Sequence, residues 1–305
     1  MDSVLITGVN GFVGGYLYKT LKNHYSVIGL DVNKNDLIDQ MLICDITKAE
    51  DLKTCLQHSD FDYVIHCAAL AHNDKGLYKP EDFYRINTQG TINLLNCLKN
   101  TPIKKFIFLS SVSVYGEYNY DTAIDESWPV NPVSDYADSK LKAEQFIVNQ
   151  KEISWIILRM PVIYAENFMK DINKRTPFKN FSGLTIIFKP GNGMQKFSFC
   201  NIANLSEAIC NLIINQNVKN EIIHIADAIS YNTNDLILRL KNKCKKPVII
   251  RIPKSVVFIA TYTLGILLNK RKLQFSNYWK LCRNNQYSVD KALFLGLKLN
   301  ETMLK

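Results

Sequence analysis

The sequence lacks the cysteine pairs that a disulfide framework or a zinc site needs. Its eight cysteines include no Cys-x-x-Cys pair, and several of them lie inside apolar runs. This usage is typical of reduced, buried thiols, and it predicts a cytoplasmic protein without a bound metal. No secretory signal is expected, because the first residues already have the pattern of a buried strand.

The sequence also lacks an apolar run long enough to span a bilayer. The markedly apolar stretch Ser255–Leu268 has 14 residues, whereas a spanning helix needs about 20. Two alternatives stay open for it: a buried helix, or a helix lying on a membrane surface with Lys270–Lys272 facing anionic lipid. The formal charge of +9 suits an anionic ligand. Nucleic acid is not expected as a partner, because no recognised binding module accompanies the charge.

A glycine pattern near the N-terminus is the most informative feature that the sequence does have. The apolar run Val4–Ile6 predicts a short buried strand, and a helical pattern follows the glycines. Gly8 allows a tight turn, Gly11 lets a pyrophosphate approach the backbone, and Gly14 lets the helix pack close to the strand. The helix N-terminus then presents free N–H groups and a positive dipole end to phosphates. Strand, glycine turn and helix together predict a dinucleotide site.

Asp31 is the second sign of a dinucleotide site. It ends the next predicted strand, 26–30, at about the distance from the glycines where a ribose 2′-hydroxyl needs an acceptor. A carboxylate there would repel a 2′-phosphate, so NAD is favoured over NADP. The alternative is an ordinary strand-end turn.

Apolar runs alternate with helical patterns along the rest of the first half. Further strands are predicted at 41–44, 63–69 and 103–109, with a long helix at 80–98 and a returning strand at 221–226. This order predicts an α/β fold with a doubly wound parallel sheet and a smaller, mostly helical C-terminal substrate domain. Ligands bind at the carboxyl ends of such strands. His66, inside one strand, is predicted to be a satisfied core histidine rather than a catalyst.

A serine, a tyrosine and a lysine follow the strand at 103–109. Tyr136 and Lys140 are four residues apart and share a helix face. A lysine ammonium beside a phenol is expected to lower the tyrosine pKa and make Tyr136 a usable acid and base. Ser111 can hydrogen-bond the same substrate oxygen. The three residues are therefore the predicted catalytic group.

These segments together resemble the extended short-chain dehydrogenase/reductases, specifically the NAD-dependent epimerase/dehydratase family that modifies nucleotide sugars. The resemblance covers nearly the whole chain and is stronger for the cofactor and the chemistry than for the substrate. The matching segments are Gly8-x-x-Gly11-x-x-Gly14, Asp31, Asp45-Ile46, His66-x-Ala68-Ala69, Asn87-x-x-Gly90-Thr91, Ser110-Ser111 with Val114-Tyr115-Gly116, Tyr136-x-x-x-Lys140, Leu158-Arg159 before Pro161, and Ser288-x-Asp290-Lys291-Ala292 with Leu295-Gly296.

The resemblance implies a Rossmann fold, the cofactor NAD and a set of roles. Tyr136 would take the proton from a sugar hydroxyl, most often at C4, Lys140 would hold the nicotinamide ribose, and Ser111 would orient the oxygen. The implied cofactor-binding residues are Gly8, Asn10, Gly11, Phe12, Val13, Gly14, Asp31, Asp45, Ile46, Cys67, Ala68, Ala69, Asn87, Ser110, Tyr136, Lys140 and Pro161. The implied substrate-binding residues are Ser111, Ser113, Tyr136 and Lys196. A homodimer formed through the helix at 86–98 and the helix after Tyr136 is also implied.

Departures from the family pattern narrow the expected activity. Dehydratases of the family carry a Thr-Asp-Glu triplet where this chain has Ser111-Val112-Ser113, so dehydration is not expected. Many epimerases have an asparagine where Pro161-Val162 stands, and an arginine near Phe197. Lys196 could replace that arginine only as a point charge. Recognition of the substrate diphosphate is therefore altered.

The expected activity is NAD-dependent 4-epimerisation of a nucleotide sugar through a transient 4-keto sugar, with a UDP-sugar favoured and a role in surface polysaccharide or glycan precursor synthesis. Three alternatives stay open: a nucleotide-sugar 4-ketoreductase, a catalytically silent NAD-binding protein, and an alcohol dehydrogenase for steroid-like or flavonoid-like substrates. The expected domains are 1–160, joined by 197–228, for NAD, and 161–196 with 229–305 for the substrate.

Overall fold

The structure, a computed structural model, describes residues 1–57, 59–71, 77–99, 101–116, 122–166, 178–181, 184–243, 247–267, 278, 280–300 and 302. Its centre is a seven-stranded sheet in which every pairing is parallel. In chain order the strands are β1 (Ser3–Thr7), β2 (Ser26–Asp31), β3 (Met41–Ile43), β4 (Tyr63–His66), β5 (Lys105–Ser111), β6 (Trp155–Met160) and β12 (Glu221–His224).

The strands lie in the order β12-β6-β5-β4-β1-β2-β3. The chain therefore runs outward from β1 to β3 on one side and from β4 to β12 on the other. The reversal between β1 and β4 is the switch point at which a doubly wound sheet forms its ligand crevice. The glycine turn follows β1 and the Cys67 loop follows β4, so both reach this crevice, and the predicted fold class is confirmed.

Helices cover both faces of the sheet. They are α1 (Phe12–Leu21), α2 (Ala49–Leu56), α3 (Pro80–Phe83), α4 (Gly90–Leu98), α5 (Asp135–Val148) and α6 (Ile202–Ile214), with a π-helical segment at 84–89 and a 3₁₀ turn at 112–115. Val4 and Ile6 pack with side chains of α1 and α6, whereas Leu5 packs on the opposite face with α2, α4 and α5. Burial on both faces explains why these strands are continuous apolar runs.

The second half of the chain adds small sheets and further helices. Strand β7 (Val162–Tyr164) pairs with β11 (Phe199–Asn201), and β10 (Lys196–Phe197) pairs with β13 (Tyr231–Asn232). A third sheet has the order β14-β9-β8, from β8 (Phe178–Phe181), β9 (Leu184–Pro190) and β14 (Pro247–Ile252). The helices are α7 (Thr233–Lys243), α8 (Lys254–Leu267) and α9 (Asp290–Phe294). The sequence pattern indicates helices throughout this region, and β14 departs from it because its β-branched run Val248–Ile250 suits a strand.

The strand predicted at 221–226 is β12, which pairs with β6 at the sheet edge. The division of the chain into two domains stays a prediction. Among the described helices, none is long and apolar enough to cross a bilayer. The seven described cysteines are free thiols, and Cys244 lies outside the described residues.

Candidate active site

The glycine turn joins β1 to α1 by a close backbone approach. Gly8 has a φ of +69°, and its N–H donates to Leu30 O at 2.8 Å. A Cβ on Gly14 would lie 2.2 Å from Gly8 O, so no side chain fits there. Gly11 is the N-cap of α1, without a side-chain cap, and the first turn has no acidic residue. The start of α1 therefore combines the positive end of the helix dipole with the absence of a competing acidic side chain, which suits an anionic group such as a diphosphate.

Asp31 lies beside this turn, as the sequence predicts. Its carboxylate accepts from Asn10 N–H at 3.0 Å and from Val32 N–H at 2.8 Å, although 21 residues separate Asn10 from Asp31. The Asn10 side chain is itself held, because its amide donates to Asn33 O at 2.7 Å. These contacts fix a carboxylate at the end of β2, where an adenosine ribose of a dinucleotide would need an acceptor.

Asp45 and Ile46 follow β3 and have different surroundings. Asp45 is half-buried and accepts from Thr47 N–H at 2.9 Å. Ile46 is buried, and its carbonyl accepts from the Asn93 amide at 2.9 Å. A Cβ on Gly90 would lie 2.6 Å from Ile46 Cδ1, so the Ile46 side chain packs directly on the Gly90 backbone. Ile46 has a packing role, and its contact with the cofactor stays a prediction.

His66 lies in the core, and the prediction of a satisfied core histidine is confirmed. Its Nδ1 lies 2.6 Å from Thr7 Oγ1 and its Nε2 lies 2.9 Å from Thr91 Oγ1. Thr91 donates its own proton to Asn87 O at 2.7 Å, so Thr91 accepts from Nε2–H and the Thr7 hydroxyl donates to Nδ1. Burial lowers the pKa of His66 to about 3, with a smaller effect from Lys140 in the same direction. His66 is therefore neutral and occupied at both nitrogens.

The loop after β4 is tied to two elements. Ala68 N–H donates to Thr7 Oγ1 at 3.2 Å. Asn87 accepts from Leu70 N–H at 2.7 Å and donates to Leu70 O at 3.0 Å and to Ser139 Oγ at 3.0 Å. The buried Asn87 amide is used by these three hydrogen bonds. Asn87 would therefore affect a cofactor indirectly, by holding the loop after β4 in position.

Cys67 and Ala69, the other predicted cofactor residues of this loop, differ in exposure. Ala69 is exposed and Cys67 is half-buried. Burial raises the pKa of the Cys67 thiol to about 12, and Lys140 opposes the rise. Cys67 is therefore a neutral thiol at physiological pH, close to the predicted catalytic lysine.

Ser111 and Tyr136 come together at the carboxyl end of β5. Ser111 caps the 3₁₀ turn after β5 and accepts from Ser113 N–H at 3.2 Å and from the Ser113 hydroxyl at 2.9 Å. Tyr136 lies in the first turn of α5, whose N-cap Ser134 accepts from Ala137 N–H at 3.2 Å. The capped helix start thus places the Tyr136 phenol beside Ser111.

The pKa of Tyr136 is raised by burial, and a hydrogen bond with Ser111 opposes the rise. The expectation that Lys140 lowers this pKa was wrong for the structure described, because desolvation of the phenolate outweighs every favourable contact. Ser111 is the group that favours the phenolate.

Lys140 is buried one turn further along α5. Its Nζ lies 4.0 Å from the centroid of the Phe108 ring, and no described residue forms a hydrogen bond with it. Burial lowers the pKa of Lys140 to about 7, while Glu144 and Cys67 oppose that shift. A lysine with this pKa is partly deprotonated at neutral pH, whereas an exposed lysine stays protonated.

Below Lys140 lies a buried ion pair that sequence reasoning missed. Arg159 Nη2 lies 2.6 Å from Glu144 Oε2, and Arg159 Nε lies 3.1 Å from Oε1. Both side chains are almost fully buried. Ser110 also donates its hydroxyl proton to Glu144. The Ser110 hydroxyl is thus paired with Glu144, and a contact between Ser110 and the cofactor stays a prediction.

A series of hydrogen bonds connects Arg159 of this pair to His224 in β12. Arg159 Nη1 donates to Tyr115 OH at 2.7 Å, and Tyr115 OH lies 2.6 Å from His224 Nε2. His224 Nδ1 lies 3.0 Å from Ser288 O, a carbonyl that can only accept, so Nδ1 carries the proton and Nε2 accepts from Tyr115. Burial lowers the pKa of His224 to about 4. These hydrogen bonds connect β6, the 3₁₀ turn after β5, and β12.

Two buried neutral histidines make folding stability depend on pH. His66 and His224 have a lowered pKa in the folded state, of about 3 and about 4, against 6.5 for a free histidine. Their contribution is complete above pH 6.5 and is lost as the pH falls toward 4, since only the unfolded chain takes up protons there. Between pH 7 and 5 the free energy of unfolding should fall by about 2 kcal/mol for each histidine. Urea denaturation at the two pH values measures this.

The variant His224→Asn serves as the control for that measurement. It lacks one of the two groups, so its loss of stability between pH 7 and 5 should be smaller by about 2 kcal/mol. An equal pH dependence in the two proteins would show that His224 is not neutral in the folded state.

The second half of the chain has a buried aromatic cluster, formed by residues of β7, β10, β11 and β13. Phe197 and Phe199 pack with Tyr164 and Tyr231, and Val162 packs against them. Apolar side chains therefore occupy the two positions where the family resemblance had indicated an asparagine and an arginine. Lys196 is exposed on β10, and Pro161 is half-buried after β6. Their contacts with substrate and cofactor stay predictions.

Asp227 organises this cluster. Its carboxylate accepts from Tyr164 OH at 2.7 Å, Tyr231 OH at 2.6 Å, Asn201 N–H at 2.7 Å and the Asn204 amide at 2.9 Å. Burial raises the pKa of Asp227, and these four donors oppose the rise. Sequence reasoning gave no role to this residue.

A signal for the Glu144–Arg159 pair was present in the sequence. Arg159 is the one charged residue in the apolar strand Trp155–Met160, and Glu144 lies four residues after Lys140 on the same helix. A charge inside a buried strand needs a partner. The sequence does not say which acid provides it.

Comparisons with known proteins agree with this arrangement. The model of the NAD dependent epimerase/dehydratase family matches residues 4–226. A putative UDP-glucose 4-epimerase of Methanocaldococcus jannaschii is 32% identical over 262 residues, which cover 79% of this chain and 82% of that protein. An N-acetyl-alpha-D-glucosaminyl-diphospho-ditrans,octacis-undecaprenol 4-epimerase of Escherichia coli O157:H7 is 26% identical over 302 residues, which cover 95% of this chain and 88% of that protein.

Among solved structures, the UDP-glucose 4-epimerase of Thermotoga maritima with UDP-glucose superposes with a TM-score of 0.75. It is 20% identical, and the match covers 99% of this chain and 95% of that chain. At this identity the likeness shows a shared fold.

Proposed function

The chain belongs to the NAD-dependent epimerase/dehydratase family, and we propose that it is a nucleotide-sugar 4-epimerase that acts through a transient 4-keto sugar. The observation that carries the proposal is the contact between Tyr136 and Ser111 at the carboxyl end of β5, with Lys140 one turn further along α5. The chain's similarity to UDP-glucose 4-epimerases supports a UDP-sugar as the substrate.

The cofactor is NAD, and the residues present fit it. The N-terminus of α1 would hold the diphosphate, Asp31 would accept from the adenosine ribose, and Lys140 would hold the nicotinamide ribose. No side chain fits at Gly14, which keeps that backbone close to β1. When bound, NAD supplies the acceptor of a hydride from C4 and the donor that returns it to the opposite face of the keto sugar.

The chain's own residues would remove and return the proton of the sugar hydroxyl. Tyr136 in its phenolate form would take the C4 hydroxyl proton and give it back after the sugar turns over. Ser111, which favours that phenolate, would orient the same oxygen. Lys140, with a pKa of about 7, is a nearby group that can balance the phenol proton at neutral pH.

The family also contains dehydratases, and the residues after β5 argue for the epimerase. Elimination of water needs an acid and a base beside the sugar. Here the 3₁₀ turn offers only the hydroxyls of Ser111 and Ser113, which hydrogen-bond each other. A 4-ketoreductase uses the same three catalytic residues and is the alternative activity.

A lipid-linked diphosphate sugar is the second candidate substrate. Val162 and Phe197 belong to an apolar cluster, whereas the family resemblance implies an asparagine and an arginine there, so the part of the substrate beyond the sugar is the part whose recognition is expected to differ. Similarity to the undecaprenol-linked epimerase extends over 95% of this chain. A peripheral membrane contact would bring the site to such a substrate, in the synthesis of surface polysaccharide.

Proton NMR on the purified protein tests the proposal. UDP-glucose, UDP-N-acetylglucosamine, a UDP-4-keto sugar and a short-chain N-acetylglucosaminyl diphosphate lipid are supplied in turn, first without added cofactor and then with NADH. We expect a C4-epimerised product with only catalytic NAD. Turnover restricted to a 4-keto sugar, with one NADH consumed per product, would replace the epimerase by the ketoreductase, and a 4-keto-6-deoxy product would make it a dehydratase.

The homodimer, the cytoplasmic location and the two-domain division remain predictions. Inertness toward every sugar, together with tight NAD binding, would favour the silent NAD-binding protein.

A further inference from the structure

Helix α8 exposes apolar side chains to solvent, whereas the exposed face of a surface helix is usually polar. Of its side chains that the structure describes, none is buried, and the half-buried ones, such as Val257 and Thr261, lie on one side. The outer face is apolar: Ile259 is 59% exposed and Leu267 is 80% exposed. After Lys254 the helix has no charged residue. The alternative of a buried helix is thus not what the structure shows.

The preceding strand extends this surface. Val248, Ile249 and Ile250 in β14 are all exposed. Arg251 Nε donates to Gly191 O at 2.7 Å, which connects the strand to the loop that leads to Lys196. We name β14 and α8 together the apolar face. Exposed apolar residues concentrated in two consecutive elements favour an interaction site.

The charge around the apolar face is of one sign. Between Asp235 and Asp290 the sequence has twelve Lys and Arg residues and no Asp or Glu. The formal net charge of the whole chain is +9, so the formal net charge of the remaining residues is −3. Some of the twelve, including Lys270–Lys272, lie outside the described residues and are counted here from the sequence alone. The basic charge is therefore concentrated in the segment that also exposes the apolar face.

We propose that the apolar face binds the surface of an anionic phospholipid bilayer, with α8 lying in the interface. A helix of 14 residues is about 21 Å long, which is too short to span a bilayer but long enough to lie in one leaflet. Apolar side chains enter the headgroup boundary while neighbouring basic residues meet anionic lipid. The inference does not depend on the enzyme's activity, since it rests on the surface alone.

A second copy of the chain is the other occupant to consider. A symmetric dimer would place this face against itself and bring two strongly basic, acid-free segments together. Like charges at short distance oppose such an interface, whereas an anionic bilayer neutralises them. The charge therefore favours lipid.

Co-sedimentation with vesicles tests the inference. The full-length protein is mixed with phosphatidylcholine vesicles, with or without phosphatidylglycerol, and the bound fraction is measured. We expect binding that requires phosphatidylglycerol and weakens when ionic strength rises from about 0.15 M to about 1 M, where the Debye length is about 3 Å. The variant Ile259→Asn with Leu267→Asn should lose at least about tenfold in partitioning.

The matched control replaces two equally exposed apolar residues elsewhere, Ile214→Asn with Phe294→Asn, which are 70% and 90% exposed in the wild type. It should bind vesicles as the wild type does, and both variants should keep the wild-type circular dichroism spectrum and melting temperature. Absence of vesicle binding, or equal binding by both variants, would refute the inference. If sedimentation velocity shows a dimer that the α8 variant alone dissociates, and no vesicle binds, the face is a dimer interface instead.

Discussion

Replacing Tyr136 by phenylalanine should lower the turnover of UDP-glucose about a thousandfold, because the site then has no group to take the hydroxyl proton. The substitution removes one oxygen from a half-buried ring that also contacts Phe83 edge-on, so packing is kept. KM and the amount of NAD that copurifies should change little. Turnover is followed by NMR of the C4 epimers, and the cofactor by absorbance after denaturation of the enzyme.

Tyr84→Phe is the matched control for that variant. Tyr84 lies in the segment that packs against α5, and its hydroxyl donates to Asp138 Oδ2 at 2.8 Å. The control thus removes a phenol oxygen near the same helix but outside the catalytic group, and it should retain turnover within a few fold. A Tyr136→Phe enzyme with unaltered turnover would disprove the proposed proton transfer and move the silent NAD-binding alternative to the front.

Features that depend on residues close together in the chain could be predicted from the sequence alone. Gly8, Gly11 and Gly14 follow a buried strand directly, and their spacing specifies a turn that runs into a helix. Tyr136 and Lys140 share a helix face by their spacing of four. In each case the geometry depends on one element or on two elements joined by a short turn.

The electrostatic state of the site could not be predicted, because it depends on residues from distant parts of the chain. Lys140 meets Phe108 of β5 and lies near Cys67 after β4. Burial among these residues, rather than the spacing to Tyr136, determines that the pKa of Lys140 is lowered. The apolar face is a similar case, since the same apolar run is compatible with a buried helix and with one lying on a membrane surface.

The Glu144–Arg159 pair supports the largest expected effect on stability. Glu144→Gln should lower the free energy of unfolding by about 3 to 5 kcal/mol, because the Arg159 guanidinium then stays buried without an opposite charge. The same change should lower the pKa of Lys140 further, since the negative charge of Glu144 has the largest raising effect on that pKa. The acidic limb of the pH–rate profile should move to lower pH if the Lys140 proton is part of turnover. Urea denaturation and a pH series of NMR rates measure the two effects.

Asp36→Asn is the matched control, because Lys34 and Asp36 form a pair at 2.6 Å that is largely exposed. An exposed pair contributes about 0 to 1 kcal/mol, so this variant should be nearly as stable as the wild type. The double variant Glu144→Leu with Arg159→Met completes a cycle: removing both buried charges should cost less than removing Glu144 alone, since no unpaired charge remains. A Glu144→Gln protein as stable as the Asp36→Asn protein would show that Arg159 is neutralised by another group. A double variant less stable than the single one would show that the pair also holds Tyr115 and His224 in place.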